Sequence, residues 1–316
     1  MLEVRNLRKY YPLNNGRQIR AVNGVSFNAE KDETLGIVGE SGCGKSTLGR
    51  LILRLVEPSG GQVFFNGKEI THISKAAMRP IRRNMQMIFQ NPFASFNPKI
   101  RIGGSLLEVC RYYGMDREKS RERIAGLLAD MGMSEELLYH WPKELSGGQL
   151  QRLAIARALL SEPSLIIADE ALSSLDVSVQ AQLLNLLEDL RRSRSMTVLF
   201  ISHDMNVVEY FCGRIVVMYM GIIMETVSAA ALPANALHPY TRSLRASAPR
   251  LDVFKDQTRE GKPGQFIVKG ETPDPAEQIP GCPFAPRCPE AMPRCRLELP
   301  ELREVSGAHQ LRCWRV

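Results

Sequence analysis

The stretch that most restricts how this sequence can fold begins at residue 35. Four residues of apolar character, Leu35-Gly36-Ile37-Val38, run directly into Gly39-Glu40-Ser41-Gly42-Cys43-Gly44-Lys45-Ser46-Thr47. A glycine, four residues and then Gly-Lys-Ser is the pattern of a loop that curls its backbone N–H groups around phosphate oxygens. Glycines are needed because side chains would obstruct that approach. The flanks agree. The short apolar run predicts a strand covered on both faces, and Leu48, Leu51, Ile52 and Leu55 recur at helical spacing. A helix opening at the loop sets the positive end of its dipole under the phosphates. Gly39, Ser41, Gly42, Cys43, Gly44, Lys45, Ser46 and Thr47 are therefore expected to bind a nucleoside triphosphate, with Lys45 on the β- and γ-phosphates and Ser46 on Mg2+. Cys43 stands beside Lys45 at a helix N-terminus, surroundings that lower a thiol pKa, although the preferred reading is a small filler residue.

Ligands of open parallel sheets bind outside the carboxyl ends of the strands. Two further unbroken apolar runs end in reactive groups: Leu165-Ile166-Ile167-Ala168 in Asp169-Glu170, and Val198-Leu199-Phe200-Ile201 in Ser202-His203-Asp204. Asp169 can join a Mg2+ shell, and Glu170 can orient or deprotonate an attacking water. His203 can contact a γ-phosphate. Gln90, after Met87-Ile88-Phe89, ends another core strand and can touch Mg2+ or the water through its amide. The first 225 residues alternate such runs with amphipathic helical patterns, which predicts an α/β domain with a mostly parallel sheet. A helical insertion is expected at about 91–160, including helices over Arg117–Met131 and Gly147–Leu160. Twelve of the 19 prolines lie at or after Pro233, so residues 226–316 read as a separate, loop-rich extension.

Leu145-Ser146-Gly147-Gly148-Gln149 precedes the second of those helices. Ser146 and Gln149 have capping-box spacing. A cap alone leaves Gly147 and Gly148 unexplained, since each costs about 1 kcal/mol against alanine in a helix. Two missing Cβ atoms at a helix N-terminus point to close approach of an anion, here one held by another subunit.

This segment resembles the signature motif of ATP-binding cassette (ABC) ATPases, and the order of phosphate loop, Gln90, Leu145–Gln149, Asp169-Glu170, Ser174-Leu175-Asp176 and His203 matches the whole cassette. The resemblance implies a P-loop NTPase (RecA-like) core with an N-terminal antiparallel β region and a helical subdomain. It also implies two cassettes head to tail, each nucleotide lying between the phosphate loop of one and the signature of the other. Under it Tyr11 stacks on adenine beside Val22, Gln90 is the Q-loop residue, Glu170 the catalytic base, Asp176 the D-loop aspartate and His203 the switch histidine. Ala171 stands where the family usually has proline, and Ser174 where alanine is common. Neither change removes a catalytic group.

Asn91-Pro92-Phe93-Ala94-Ser95-Phe96-Asn97-Pro98, Asp176–Gln182, His238-Pro239-Tyr240-Thr241 and Gly281–Pro289 are similar to the oligopeptide/dipeptide importer ATPases. That likeness implies an ATP-hydrolysing subunit on the cytoplasmic face of the inner membrane. Its partners would be a related but different ATPase subunit, two transmembrane permeases and, indirectly, an extracytoplasmic peptide-binding protein. The rival readings are a soluble ABC ATPase acting on nucleic acid or the ribosome, and an importer ATPase for nickel or another small solute. Paired cassettes or a long coiled-coil insertion would mark the first rival, and neither is visible.

Composition bounds the rest. The 41 Lys and Arg against 34 Asp and Glu give a modest, dispersed +7, weak support for nucleic-acid binding, and no nucleic-acid partner is expected. The longest uncharged apolar stretch, Ile215–Met224, is too short to cross a bilayer, and the N-terminus lacks an export signal, so the chain reads as neither secreted nor membrane-spanning. Four of the seven cysteines, Cys282, Cys288, Cys295 and Cys313, fall in the last 35 residues. Four thiolates can hold zinc or a 4Fe–4S cluster. The importer resemblance favours iron–sulfur, with zinc, or free or disulfide-bonded thiols, as the alternatives.

Overall fold

A computed structural model describes the chain except for residues 15, 174, 233–235, 249–269, 271 and 308. The described chain forms two compact units: Met1–His72 with Phe200–Val316, and Ile73–Leu199.

The first unit opens with the antiparallel region. Strand β1 (Leu2–Pro12) lies between β2 (Gln18–Ala29) and β4 (Gly60–Phe65), and β5 (Lys68–Glu69) pairs with β4. Leu2 and Val4 point inward with the strand's period of two, yet the next fully buried residue is Leu7. A register shift between Val4 and Leu7, with Asn6 at φ 47°, absorbs the extra residue and returns Leu7 to the inner face. The same unit holds β3 (Thr34–Val38), parallel to β9 (Arg214–Tyr219). Strand β9 turns back through Met220-Gly221, both at positive φ, into antiparallel β10 (Ile222–Ser228). That is the backbone sign a two-residue hairpin needs. Gly36 in β3 allows the helix Met205–Phe211 to close on the strand, since a Cβ there would stand 2.3 Å from Val208 Cγ1.

The proline-rich extension is more regular than its composition predicts. It carries the helices Pro239–Ser247 and Pro293–Leu297, and its last two strands, β11 (Arg303–Ser306) and β12 (His309–Leu311), continue the sheet antiparallel from β10. Among the described residues, Pro239 and Pro293 sit at helix starts, where the missing N–H costs nothing.

The second unit contains β6 (Met85–Ile88) parallel to β7 (Leu165–Asp169), every residue of β7 being buried. Around them stand the helices Lys75–Arg83, Ile102–Tyr112, Arg117–Asp130, Gly147–Leu159 and Val177–Arg194. Asp116 caps Arg117–Asp130 by accepting the Lys119 N–H at 2.8 Å. The boundary between the units falls within β8 (Thr197–Ser202). No helix among the described residues is long and apolar enough to cross a membrane.

Candidate active site

In the first unit, buried β3 delivers the chain into the glycine loop, and the helix Lys45–Ile52 begins at its end. Gly44 is the N-cap at φ 105°, and a Cβ there would meet Ala21 O at 2.0 Å, so only glycine fits. Lys45 is buried, and its Nζ donates to Gly39 O at 2.8 Å and Glu40 O at 3.0 Å. The ammonium is thereby held over the loop. Ser41 and Gly42 are exposed, and Ser46 and Thr47 are half-buried. Cys43 corrects an expectation. Burial pushes its thiol pKa up and outweighs the lowering by Lys45, so the side chain is a neutral filler. Tyr11, near the end of β1, is 37% exposed with Lys9 Nζ 5.1 Å from its ring centroid, whereas Val22 on β2 is fully buried. His203 is exposed just after β8, beside Asp204, which caps the next helix by accepting the Asn206 N–H.

In the second unit Asp169 is the buried last residue of β7. Glu170 follows at φ 46°, a backbone region that residues other than glycine rarely occupy and that clusters at functional sites. This kink ends the strand, and Gln90 Nε2 donates to Glu170 Oε2 at 3.0 Å across 80 residues of sequence. The capping box exists: Gln149 N donates to Ser146 Oγ at 3.2 Å and Ser146 N to Gln149 Oε1 at 3.0 Å. Ser146, Gly147 and Gln149 are exposed. The two glycines differ in kind. A Cβ on Gly148 would stand 3.2 Å from Val179 Cγ1, while one on Gly147 has only Leu175 Cδ2, at 3.8 Å. Asp176 accepts the Val179 N–H at 3.0 Å and so caps the helix Val177–Arg194. Ser174, expected beside it in the D-loop, lies outside the described residues.

An ABC transporter profile matches residues 22–173, and a profile of the oligopeptide/dipeptide transporter C-terminal region matches residues 224–295. The chain is 44% identical to the oligopeptide transport ATP-binding protein AppF of Bacillus subtilis, over 99% of this chain and 96% of that one. It is 45% identical to a probable peptide ABC transporter ATP-binding protein of Sinorhizobium fredii, over 99% and 89%. This chain belongs to the ABC transporter ATP-binding proteins. As an ABC ATPase it is similar to the solved ATP-binding cassette MJ0796, a dimer in a post-hydrolysis state bound to ADP and phosphate. The TM-score is 0.67 at 30% identity, covering 72% of this chain and 99% of that one. It is also similar to cbiO1 of Clostridium perfringens, part of an ABC transporter complex, with a TM-score of 0.66 at 26% identity, covering 77% and 94%. The fold is that of a P-loop NTPase, and the family's cassettes work as dimers with membrane permeases.

The cysteine tail of this ABC ATPase is folded in. Cys282, Cys288, Cys295 and Cys313 border one small cavity together with His238 and Phe284, and Cys282 N donates to Cys295 O at 2.8 Å. Burial first, and then the neighbouring thiols of Cys295, Cys288 and Cys313, push the Cys282 pKa up to about 12. Among the described residues, however, no three His, Cys, Asp or Glu side chains converge as a metal-binding group, contrary to the expectation of a formed ligand set. The donor chemistry suits a thiophilic centre, and the thiols share a cavity without standing at ligand spacing.

Tyr240, Thr272 and Arg287 were invisible as site residues in the sequence. All three contact Glu40 of the phosphate loop. Tyr240 and Arg287 were signalled only by the run His238–Thr241 and the segment Gly281–Pro289, which resemblance marked without giving a reason, and Thr272 had no signal.

Proposed function

We propose that this ABC ATPase powers import of peptides, with ATP hydrolysed by Glu170. The observation that carries the catalytic assignment is the Glu170 carboxylate at the kinked end of β7, next to Asp169 and hydrogen-bonded by Gln90 at 3.0 Å. The oligopeptide/dipeptide transporter profile over residues 224–295 and the peptide-transport names of the relatives support the cargo class.

In this reading Gly39, Ser41, Gly42, Cys43, Gly44, Lys45, Ser46 and Thr47 bind the phosphates, Tyr11 and Val22 form the adenine side, and His203 contacts the γ-phosphate. Glu170 takes the proton from the attacking water, which Gln90 helps orient. Ser46, Asp169 and Gln90 offer the hard oxygen donors that Mg2+ prefers, and the ion when bound neutralises phosphate charge. Ser146, Gly147, Gly148 and Gln149 serve the nucleotide of the partner cassette, beside Asp176. Residues 1–225 form the ATPase domain and 226–316 an extension. The partner cassette is a different, related chain, and both stand on the cytoplasmic face of the membrane, fed by an extracytoplasmic binding protein. A cleft lined by Gln86, Ser95, Glu108, Tyr112 and Arg157, close in sequence to Gln90, suits docking of a permease segment. Cys282, Cys288, Cys295 and Cys313 would hold a 4Fe–4S centre, with zinc as the alternative, in a structural role once drawn to ligand spacing.

The test uses the assembled transporter. Lys45→Ala loses nucleotide binding, while Glu170→Gln keeps ATP and loses on the order of 100-fold or more in turnover, the usual contribution of a general base. Normal hydrolysis with Glu170→Gln overturns the assignment of the base.

A further inference from the structure

Glu40 places a carboxylate inside a loop whose task is to attract polyanions. Left bare, that charge opposes the triphosphate. Every polar group of Glu40 is instead engaged. Its backbone N–H donates to Tyr240 Oη at 2.8 Å, and its carbonyl accepts Lys45 Nζ at 3.0 Å. Its carboxylate accepts Arg287 Nη1 at 3.0 and 2.8 Å and Thr272 Oγ1 at 2.7 Å.

Arg287 comes from the extension, 247 residues away, between Cys282 and Cys288. Its side chain is 11% exposed and that of Glu40 26% exposed, so solvent screens the pair weakly. Burial works against the guanidinium charge, but hydrogen bonds to Glu40 and Tyr219 outweigh it and raise the Arg287 pKa above its ordinary value. Phe284, fully buried, anchors this segment with its ring 5.2 Å from Tyr240 and 5.5 Å from Tyr219. Independently, Thr272, Pro273 and Pro275 of the extension line one cavity with Glu40, Ser41 and Gly42. The extension thus walls the phosphate loop as well as bonding to it.

We propose that Arg287 is a positioning residue for ATP: by neutralising and fixing Glu40, it makes the cysteine-bearing extension a determinant of nucleotide affinity. The proposal rests on Lys45 and its glycine-rich neighbours Ser41–Thr47 being the ATP site. Whatever fixes Cys282 and Cys288 fixes the guanidinium between them, so the state of that segment reaches the phosphate loop through one ion pair.

The experiment measures KM and kcat for ATP in the assembled transporter, with Kd for a fluorescent ATP analogue as a second readout. Arg287→Ala should raise KM about five- to tenfold while kcat changes less than about twofold, because a bare carboxylate weakens phosphate binding without touching the reacting atoms. Glu40→Gln alone should not raise KM. Glu40→Gln combined with Arg287→Ala should return KM to within about threefold of the native value, a coupling that a merely structural role of Arg287 would not produce. Arg287→Lys should recover part of the loss. Should Arg287→Ala fail to assemble, Arg287→Lys with and without Glu40→Gln carries the same comparison. An unchanged KM in Arg287→Ala, or a double variant as weak as Arg287→Ala, overturns the proposal. Lys45→Ala in the same assay separates the two readings, since retained nucleotide binding there would instead remove the site on which the proposal rests.

Discussion

His238 is buried at the N-terminus of the helix Pro239–Ser247, where its Nδ1 accepts the Tyr240 N–H at 3.0 Å. A ring nitrogen that accepts carries no proton. Burial, and then the charge of Arg242, push its pKa from 6.5 down to about 3. The unfolded chain takes up this proton near pH 6.5, whereas the folded chain does not until about pH 3. Stability is therefore flat above that window and falls as pH drops through it, by about 2 kcal/mol at pH 5 from this group alone. Urea unfolding of the native chain and of His238→Asn, which keeps a capping acceptor, checks this. The native chain should lose more stability than the variant between about pH 6 and pH 4. Equal acid slopes would exclude His238 as the source. The same residue shows what a sequence conceals. His238–Thr241 stands out by resemblance, but its reason is a cap and a tyrosine reaching Glu40, and neither has a periodic trace.

At the scale of elements, the strands and helices that carry the site were legible because their causes are local. Buried parallel strands read as unbroken apolar runs, and the capping box Ser146/Gln149 is a spacing of three. Strands β11 and β12 were not legible: both are short, and β12 is stabilised by pairing with β10, more than 80 residues earlier in the chain, while β11 pairs with β12. The glycine pair of the signature helix divides along the same line. Gly148 has a packing reason in Val179, whereas Gly147 is exposed with no tight neighbour. Gly147→Ala should therefore leave the melting temperature unchanged or raise it, by up to about 1 kcal/mol of helix propensity. It should still lower ATP turnover of the assembled transporter several-fold. Gly148→Ala should cost stability as well as turnover, because its neighbour must give way. Full turnover in a stabilised Gly147→Ala protein would mean that nothing approaches that backbone.

For the molecule as a whole, the α/β class and the ATPase were legible from one glycine loop and from the reactive residues that end the apolar runs. The attachment of the extension to that loop was not, because an ion pair such as Arg287–Glu40 joins residues that no local pattern relates. The four cysteines stand between these cases: their clustering is plain in the sequence, while among the described residues they border one cavity without forming a ligand set. Burial pushes up the thiol pKa values of Cys282, Cys288 and Cys313, so a metal must displace protons to bind and would gain affinity as pH rises. Transporter isolated anaerobically should carry about four iron and four sulfide per chain, and Cys295→Ser should lose them. Zinc at about one per chain without sulfide would select the alternative. If neither metal is present and all four thiols react with a thiol reagent once the protein is denatured, the segment is held by Phe284 and its neighbours alone, and the cysteines are packing residues.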